Sequence, residues 1–185
     1  MSQKSNQNQA IPSQSPWAFL LIGTGVFFGL YWSMYQRIPL SANVTSDIER
    51  IFCVLRWHGI TALFLLVMAI RLGFLQLSKL MASSLKGDLE VIIIEKQKVN
   101  HQVMIDSLIH TFIFFVASLA YTAIVPLEHF SIVAVGIILF TLGRVIYLIG
   151  YQINPKYRAF ALPFTYLPHF YVATKILENF FLEGF

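Results

Sequence analysis

Long apolar runs alternate along this chain with short polar breaks, and the runs have the length of membrane helices. Residues 1–16 are polar and rich in Gln, Ser and Asn, a composition that predicts a disordered tail. From Trp17 to Tyr35 no charged residue occurs. About 20 apolar residues cross a bilayer, so this run predicts a first transmembrane helix over 17–35. A cleaved signal peptide needs a basic start, a shorter apolar core and a small-residue cleavage site. Only Lys4 precedes the run as a basic residue, and the run ends in bulky aromatics, which favours a retained helix. Gln36 to Arg50 reads as a polar loop. A second apolar run extends from about Cys53 to Leu77 and contains Arg71, which can snorkel to the interface. Residues 79–98 collect Lys79, Lys86, Asp88, Glu90, Glu95, Lys96 and Lys98, with Val91 to Ile94 opening an amphipathic helical extension. The third span is predicted over 99–125, stopped by Pro126, and the fourth over 130–151. The fifth is predicted over 160–182, with Pro163 and Pro168 near its start and Lys175 and Glu178 inside it.

Composition agrees with an all-α integral membrane protein: 57% of residues are hydrophobic and 12% charged, against about 25% charged in soluble domains. The net charge of +4 is scattered, which argues against nucleic acid as a partner and leaves the bilayer as the first one. Basic residues concentrate in 79–98 and 154–158. Five spans put these two connections on one side, which the positive-inside rule makes cytosolic. The N-terminus is then cytosolic and the C-terminus lumenal. Asn43-Val44-Thr45 is a glycosylation sequon in the lumenal loop, but its closeness to both predicted membrane boundaries argues against modification. Cys53 is the single cysteine, excludes an internal disulfide and reads as a packing residue. The 5 histidines are dispersed and form no metal motif. His110 lies one turn beyond Asp106, which predicts a structural hydrogen bond between them.

Polar chemistry concentrates at the end of the fourth span. Tyr147 and Tyr151 share a helical face, Arg144 lies close to it, Asn154-Pro155 ends the helix, and Arg158 follows near the membrane surface. Two phenols and two guanidiniums at one helix end suit an anionic ligand, because arginine forks match carboxylates. The same residues also serve as ordinary interface anchors. Asp106 is the one acidic residue of span 99–125. Arg144 lies about 10 Å inside Tyr151 at the helical rise, a depth comparable with Asp106. An interhelical Asp106–Arg144 pair with a structural role is therefore expected.

The sequence Arg144-x-x-Tyr147-x-x-x-Tyr151, followed by Arg158, resembles the late signature of the MAPEG family, the membrane-associated proteins of eicosanoid and glutathione metabolism. The resemblance implies a four-helix bundle over 53–183, preceded here by one extra transmembrane helix. It also implies a homotrimer, with glutathione held between subunits on the cytosolic side and Asn100 of one chain near Tyr147 and Tyr151 of its neighbour. The family's third-span motif, Arg-x-x-x-Asn-x-x-Glu, falls on Lys96, Asn100 and Val103. The implied ligand set is thus Lys96, Lys98, Asn100, Tyr147, Tyr151 and Arg158. Val103 replaces the glutamate that holds the ligand's amine, and Lys96 lacks arginine's planar fork.

The extra first helix, Arg37-Ile38-Pro39, Arg50, Arg56, Tyr157-Arg158-Ala159-Phe160 and Leu162 to Pro168 resemble the mattrin branch of that family. That branch implies membrane trafficking or receptor regulation in the endoplasmic reticulum or Golgi, through membrane partners. Two functions follow as expectations. One is a non-enzymatic membrane protein with a retained glutathione or lipid pocket. The alternative is a glutathione-dependent transferase or peroxidase acting on lipophilic electrophiles, with Arg158 catalytic through stabilisation of the glutathione thiolate. A channel or transporter would need charged residues in several spans.

Overall fold

The computed structural model describes residues 15–38, 46–82, 88–124, 126 and 129–183. The predicted tail, the Asn43 sequon and Lys86 lie outside the described residues. The described residues form five α-helices: α1 Pro16–Arg37, α2 Asp47–Ala82, α3 Asp88–Ile124, α4 Ser131–Ile153 and α5 Arg158–Glu178. A 3-10 turn, Pro155–Tyr157, joins α4 to α5, and a short π-helical turn, Asn179–Glu183, follows α5.

Local chemistry sets the helix ends. Ser15 Oγ accepts from the Trp17 amide at 3.3 Å, with Pro16 in the first turn where its missing N–H costs nothing. At the start of α2, Ser46 and Glu49 form a capping box: Glu49 Oε2 accepts from the Ser46 amide at 3.0 Å and Ser46 Oγ from the Glu49 amide at 3.3 Å. Asn154 ends α4 in extended geometry (φ −159°, ψ 130°), as the residue before a proline should. Its side-chain oxygen then accepts from the Lys156 amide at 3.0 Å, so one residue closes α4 and opens the turn. Helices α2 and α3 run beyond the apolar runs. Their charged flanks are good helix formers, and hydropathy marks the bilayer rather than the end of a helix. α5 begins at Arg158, so Pro163 and Pro168 fall inside it rather than near its start.

Helix α4 is the centre. Buried residues occur all round it, from Val133 to Gly150, and each of three core clusters draws on both α4 and α5. The first joins Val54, Phe114, Ile137, Phe140 and Val172. The second joins Met68, Val103, Tyr147, Leu148 and Ala161. The third brings in α1 through Phe27, packed on Val135, Leu139 and Phe164. α1 runs parallel to α5: Phe19 meets Tyr157 at one end, ring centroids 4.9 Å apart, and Phe27 meets Phe164 farther along at 5.5 Å. Backbones approach closely at Gly143, beside Phe164, and at Gly23, beside the Phe160 carbonyl; a β-carbon at either would overlap its neighbour. Small residues at such crossings let helices pack where lipid offers no hydrophobic drive between them.

Among the described residues four helical segments are long and apolar enough to cross a membrane: Pro16–Arg37, Asp47–Ser78, Lys96–Ile124 and Ser131–Ile153. Many of their large apolar side chains are exposed, among them Leu21, Leu63, Val67 and Phe112, as a lipid-facing surface requires. α5 has the length to span, but its prolines, His169, Lys175 and Glu178 make it less apolar.

Inside this apolar frame polar side chains bond locally or across helices. Thr141 Oγ1 donates to the Ile137 carbonyl at 2.9 Å, which leaves Thr61 to donate to Thr141 at 2.7 Å and ties α2 to α4. His58 differs. It is 6% exposed, stands edge-on to Phe114 and Phe115, and neither ring nitrogen has a hydrogen-bond partner among the described residues. An unsatisfied buried polar group costs about 1–3 kcal/mol. His58→Leu is therefore expected to raise the melting temperature of the purified protein in detergent, and a lowered value would contradict this reading of the site.

Candidate functional site

The C-terminal half of α4 faces α3 on one side and the start of α5 on the other, and its polar residues form a ladder from the core outward. Arg144 is deepest, at 2% exposed. Its Nε and Nη2 both donate to Ser107 Oγ, at 3.1 and 2.9 Å, and its guanidinium lies 4.8 Å from the centroid of the Tyr147 ring. The Tyr147 hydroxyl donates to Asp106 Oδ2 at 3.5 Å, and Gln102 Nε2 donates to Asp106 Oδ1 at 2.9 Å. One turn farther out, Tyr151 lies 6.0 Å from Tyr147 between ring centroids, and the Arg158 guanidinium sits 5.7 Å over Tyr151. Both cations lie within the range of attraction to an aromatic face.

A second arm reaches across α2 and α3. Arg71 Nη2 donates to Gln152 Oε1 at 2.8 Å, and Gln152 Nε2 donates to Asn100 Oδ1 at 3.4 Å. Asn100, 3% exposed, donates its amide to the Lys96 carbonyl at 2.6 Å. Arg71, Gln152 and Arg158 are exposed. The outer layer therefore offers two guanidiniums and a carboxamide to a ligand, and the inner layer is closed.

Of the residues predicted for the site, Asn100, Tyr147, Tyr151 and Arg158 come together within a single chain around the end of α4. Lys96 joins through its backbone carbonyl, while its side chain and that of Lys98 are exposed. Asp106 and Arg144 reach one level, but Arg144 bonds to Ser107 and Asp106 accepts from Tyr147 and Gln102; no ion pair joins the two among the described residues. The neutral hydroxyl next in sequence takes the guanidinium because it faces the bundle interior, where Ser107 is fully buried and Asp106 only partly. The expected His110–Asp106 bond is likewise replaced. His110 packs its ring on Tyr166 and His169, at 5.3 and 5.7 Å, and its backbone carbonyl lies 3.1 Å from His169 Nε2. Val103 is fully buried against Met68, Tyr147 and Leu148, so this position is core.

Four members of the network escaped sequence reasoning: Arg71, Gln102, Ser107 and Gln152. Gln102 carried a usable signal, since it precedes Asp106 by four residues on a helix. Arg71 and Gln152 could be joined only by knowing that α2 and α4 run side by side in this register. No group of His, Cys, Asp and Glu able to hold a metal ion occurs among the described residues. Comparison with family models, curated proteins and solved structures yields no match.

Proposed function

We propose that this is a non-enzymatic multi-pass membrane protein that binds an anionic, glutathione-like ligand at the Asn154 end of its bundle. The observation that carries this reading is the division of the polar ladder. Arg144 and Tyr147 are buried and committed to Ser107 and Asp106, while Arg71, Gln152 and Arg158 stand exposed around Tyr151. Guanidinium forks bind carboxylates by paired, charge-assisted hydrogen bonds, and glutathione carries two carboxylates. Activation of a thiol asks for more, namely a cation held close to the sulfur and shielded from water. Arg158 is exposed, and Arg144 is sealed beneath Tyr147. Binding without turnover suits both placements.

In this reading α5 is a fifth span. Its 21 residues extend about 31 Å, matching the hydrocarbon thickness. The resemblance to the MAPEG family, and to its mattrin branch in particular, supports a homotrimer and a role in endomembrane trafficking or receptor regulation through membrane partners.

Binding of radiolabelled glutathione to the purified protein, measured by equilibrium dialysis, tests the site. Arg71→Ala and Arg158→Ala are each expected to weaken binding about tenfold or more, the worth of a hydrogen bond to a charged group. Unchanged affinity in both variants would sink the proposed location.

A further inference from the structure

Two cavities meet at the end of the bundle opposite Asn154. The inner one, about 410 Å³, lies among α1, α3, α4 and α5, with Phe27, Phe114, Val133, Pro168 and Val172 in its wall. The hydroxyls on that wall from Ser118 and Thr174 are already used, donating to the carbonyls of Phe114 at 2.5 Å and Tyr171 at 2.8 Å. The chamber is therefore apolar in effect. The outer cavity, about 520 Å³, carries Tyr31, Trp32, Tyr35 and Tyr171 together with Lys175 and Glu178. Tyr31, Ile132 and Tyr171 line both cavities, so they form one recess, apolar within and polar at its mouth.

The mouth has a specific chemistry. The rings of Tyr31 and Tyr35 are stacked, 6.1 Å apart and 6° from parallel, next to Trp32. Lys175 Nζ lies 2.6 Å from Glu178 Oε2, with side chains 43% and 52% exposed. This pair offers one positive and one negative group at an aromatic wall, with no net charge. Quaternary ammonium groups bind at aromatic faces beside a carboxylate. A phosphate matches an ammonium donor. In a bilayer, burying an acyl chain in protein gains little over burying it in lipid, so the head group must decide which lipid is retained.

We propose that this recess holds one phosphatidylcholine-type lipid. An acyl chain occupies the inner chamber, the quaternary ammonium lies against Tyr31 and Tyr35 beside Glu178, and the phosphate sits on Lys175. The exposed Lys175–Glu178 pair opens to receive the two head-group charges, exchanging one ion pair for two. An anionic lipid leaves Glu178 facing a like charge and is disfavoured. The recess depends on α1, which supplies Phe27, Tyr31 and Tyr35, and it is separate from the Arg158 end.

The full-length protein, reconstituted in nanodiscs of equal phosphatidylcholine and phosphatidylglycerol with identical acyl chains, is extracted into mild detergent. Native mass spectrometry then counts the lipid retained per chain. Choline lipid should be enriched about fivefold over glycerol lipid, the scale of a cation held on aromatic faces. Glu178→Gln and Tyr35→Leu should bring the ratio toward one, and Tyr35→Phe, which keeps the ring, should preserve it. Gly136→Leu should lower retention of both lipids. A β-carbon at Gly136 meets Phe114 and Pro168 at ordinary distances of 3.6 and 3.9 Å, so the larger side chain extends into the chamber. Equal retention of the two lipids would overturn the proposal, as would a preference that survives both Glu178→Gln and Tyr35→Leu. Glu178 is exposed at a helix end, so its variant keeps the test readable if Tyr35→Leu fails to fold.

Discussion

Replacing Ser107 with alanine should destabilise the protein by about 2–3 kcal/mol, the upper range for hydrogen bonds to a charged group. The change removes one oxygen, but that oxygen accepts from both Nε and Nη2 of a guanidinium that is 2% exposed. Charge at membrane depth is tolerated only when it is paired or reaches water. Without Ser107, Arg144 keeps the face of Tyr147 and loses its hydrogen-bond acceptor. Thermal unfolding in detergent measures the effect, and a mutant cycle isolates it. On an Arg144→Met background Ser107→Ala should cost little, so the two sites should couple by about 2 kcal/mol. Asp106→Ala should couple to Arg144→Met more weakly, because the carboxylate's partners are Tyr147 and Gln102. Coupling of Arg144 to Asp106 larger than to Ser107 would reverse the assignment.

The second large effect is expected at Gly143. A β-carbon there would overlap the Phe164 β-carbon and press on the Phe164 backbone carbonyl carbon at 3.1 Å, so α4 and α5 must separate to accept it. Overpacking of this kind costs about 1–3 kcal/mol, and the backbone of a whole helix gives way less readily than a side chain. Gly143→Ala should therefore lower the melting temperature, and Gly143→Val should lower it further. Gly29 provides the contrast. It lies in α1 with open space around its missing side chain, so Gly29→Ala should stabilise by about 0.5–1 kcal/mol through helix propensity alone. Equal effects at the two glycines would mean that α4 and α5 are not in close backbone contact.

Much of the helical layout was legible in the apolar runs, because bilayer thickness and helical rise fix the length of a span. The stop at Asn154-Pro155 was legible for a steric reason that acts between neighbouring residues. The start of α2 was not, since Asp47–Arg50 is largely charged yet helical, whereas the amphipathic extension opening at Val91–Ile94 was legible and α3 carries it back to Asp88. At the site, Tyr147, Tyr151 and Arg158 could be grouped because spacing along one helix and its turn places them together. Arg144 was legible as a buried charge, but its partner was displaced by one residue, from Asp106 to Ser107. A shift of one residue on α3 rotates a side chain by about 100°, and only the packing of α3 on α4 decides which neighbour points inward. The Arg71–Gln152 bond was out of reach for a related reason. It depends on two helices aligned across 81 residues of sequence. The recess at the opposite end was equally hidden, because its tyrosines come from α1, α3 and α5.

The most direct test of binding without turnover is calorimetric titration of glutathione into the purified, oligomeric protein, followed by an assay of the same sample with a lipophilic aryl halide. A saturable heat is expected, with an affinity weakened about tenfold or more in Arg158→Ala, and no thioether product above the uncatalysed rate. Absence of heat at millimolar glutathione in a folded protein would contradict the ligand site, and product formed at an enzymatic rate would contradict the non-enzymatic reading.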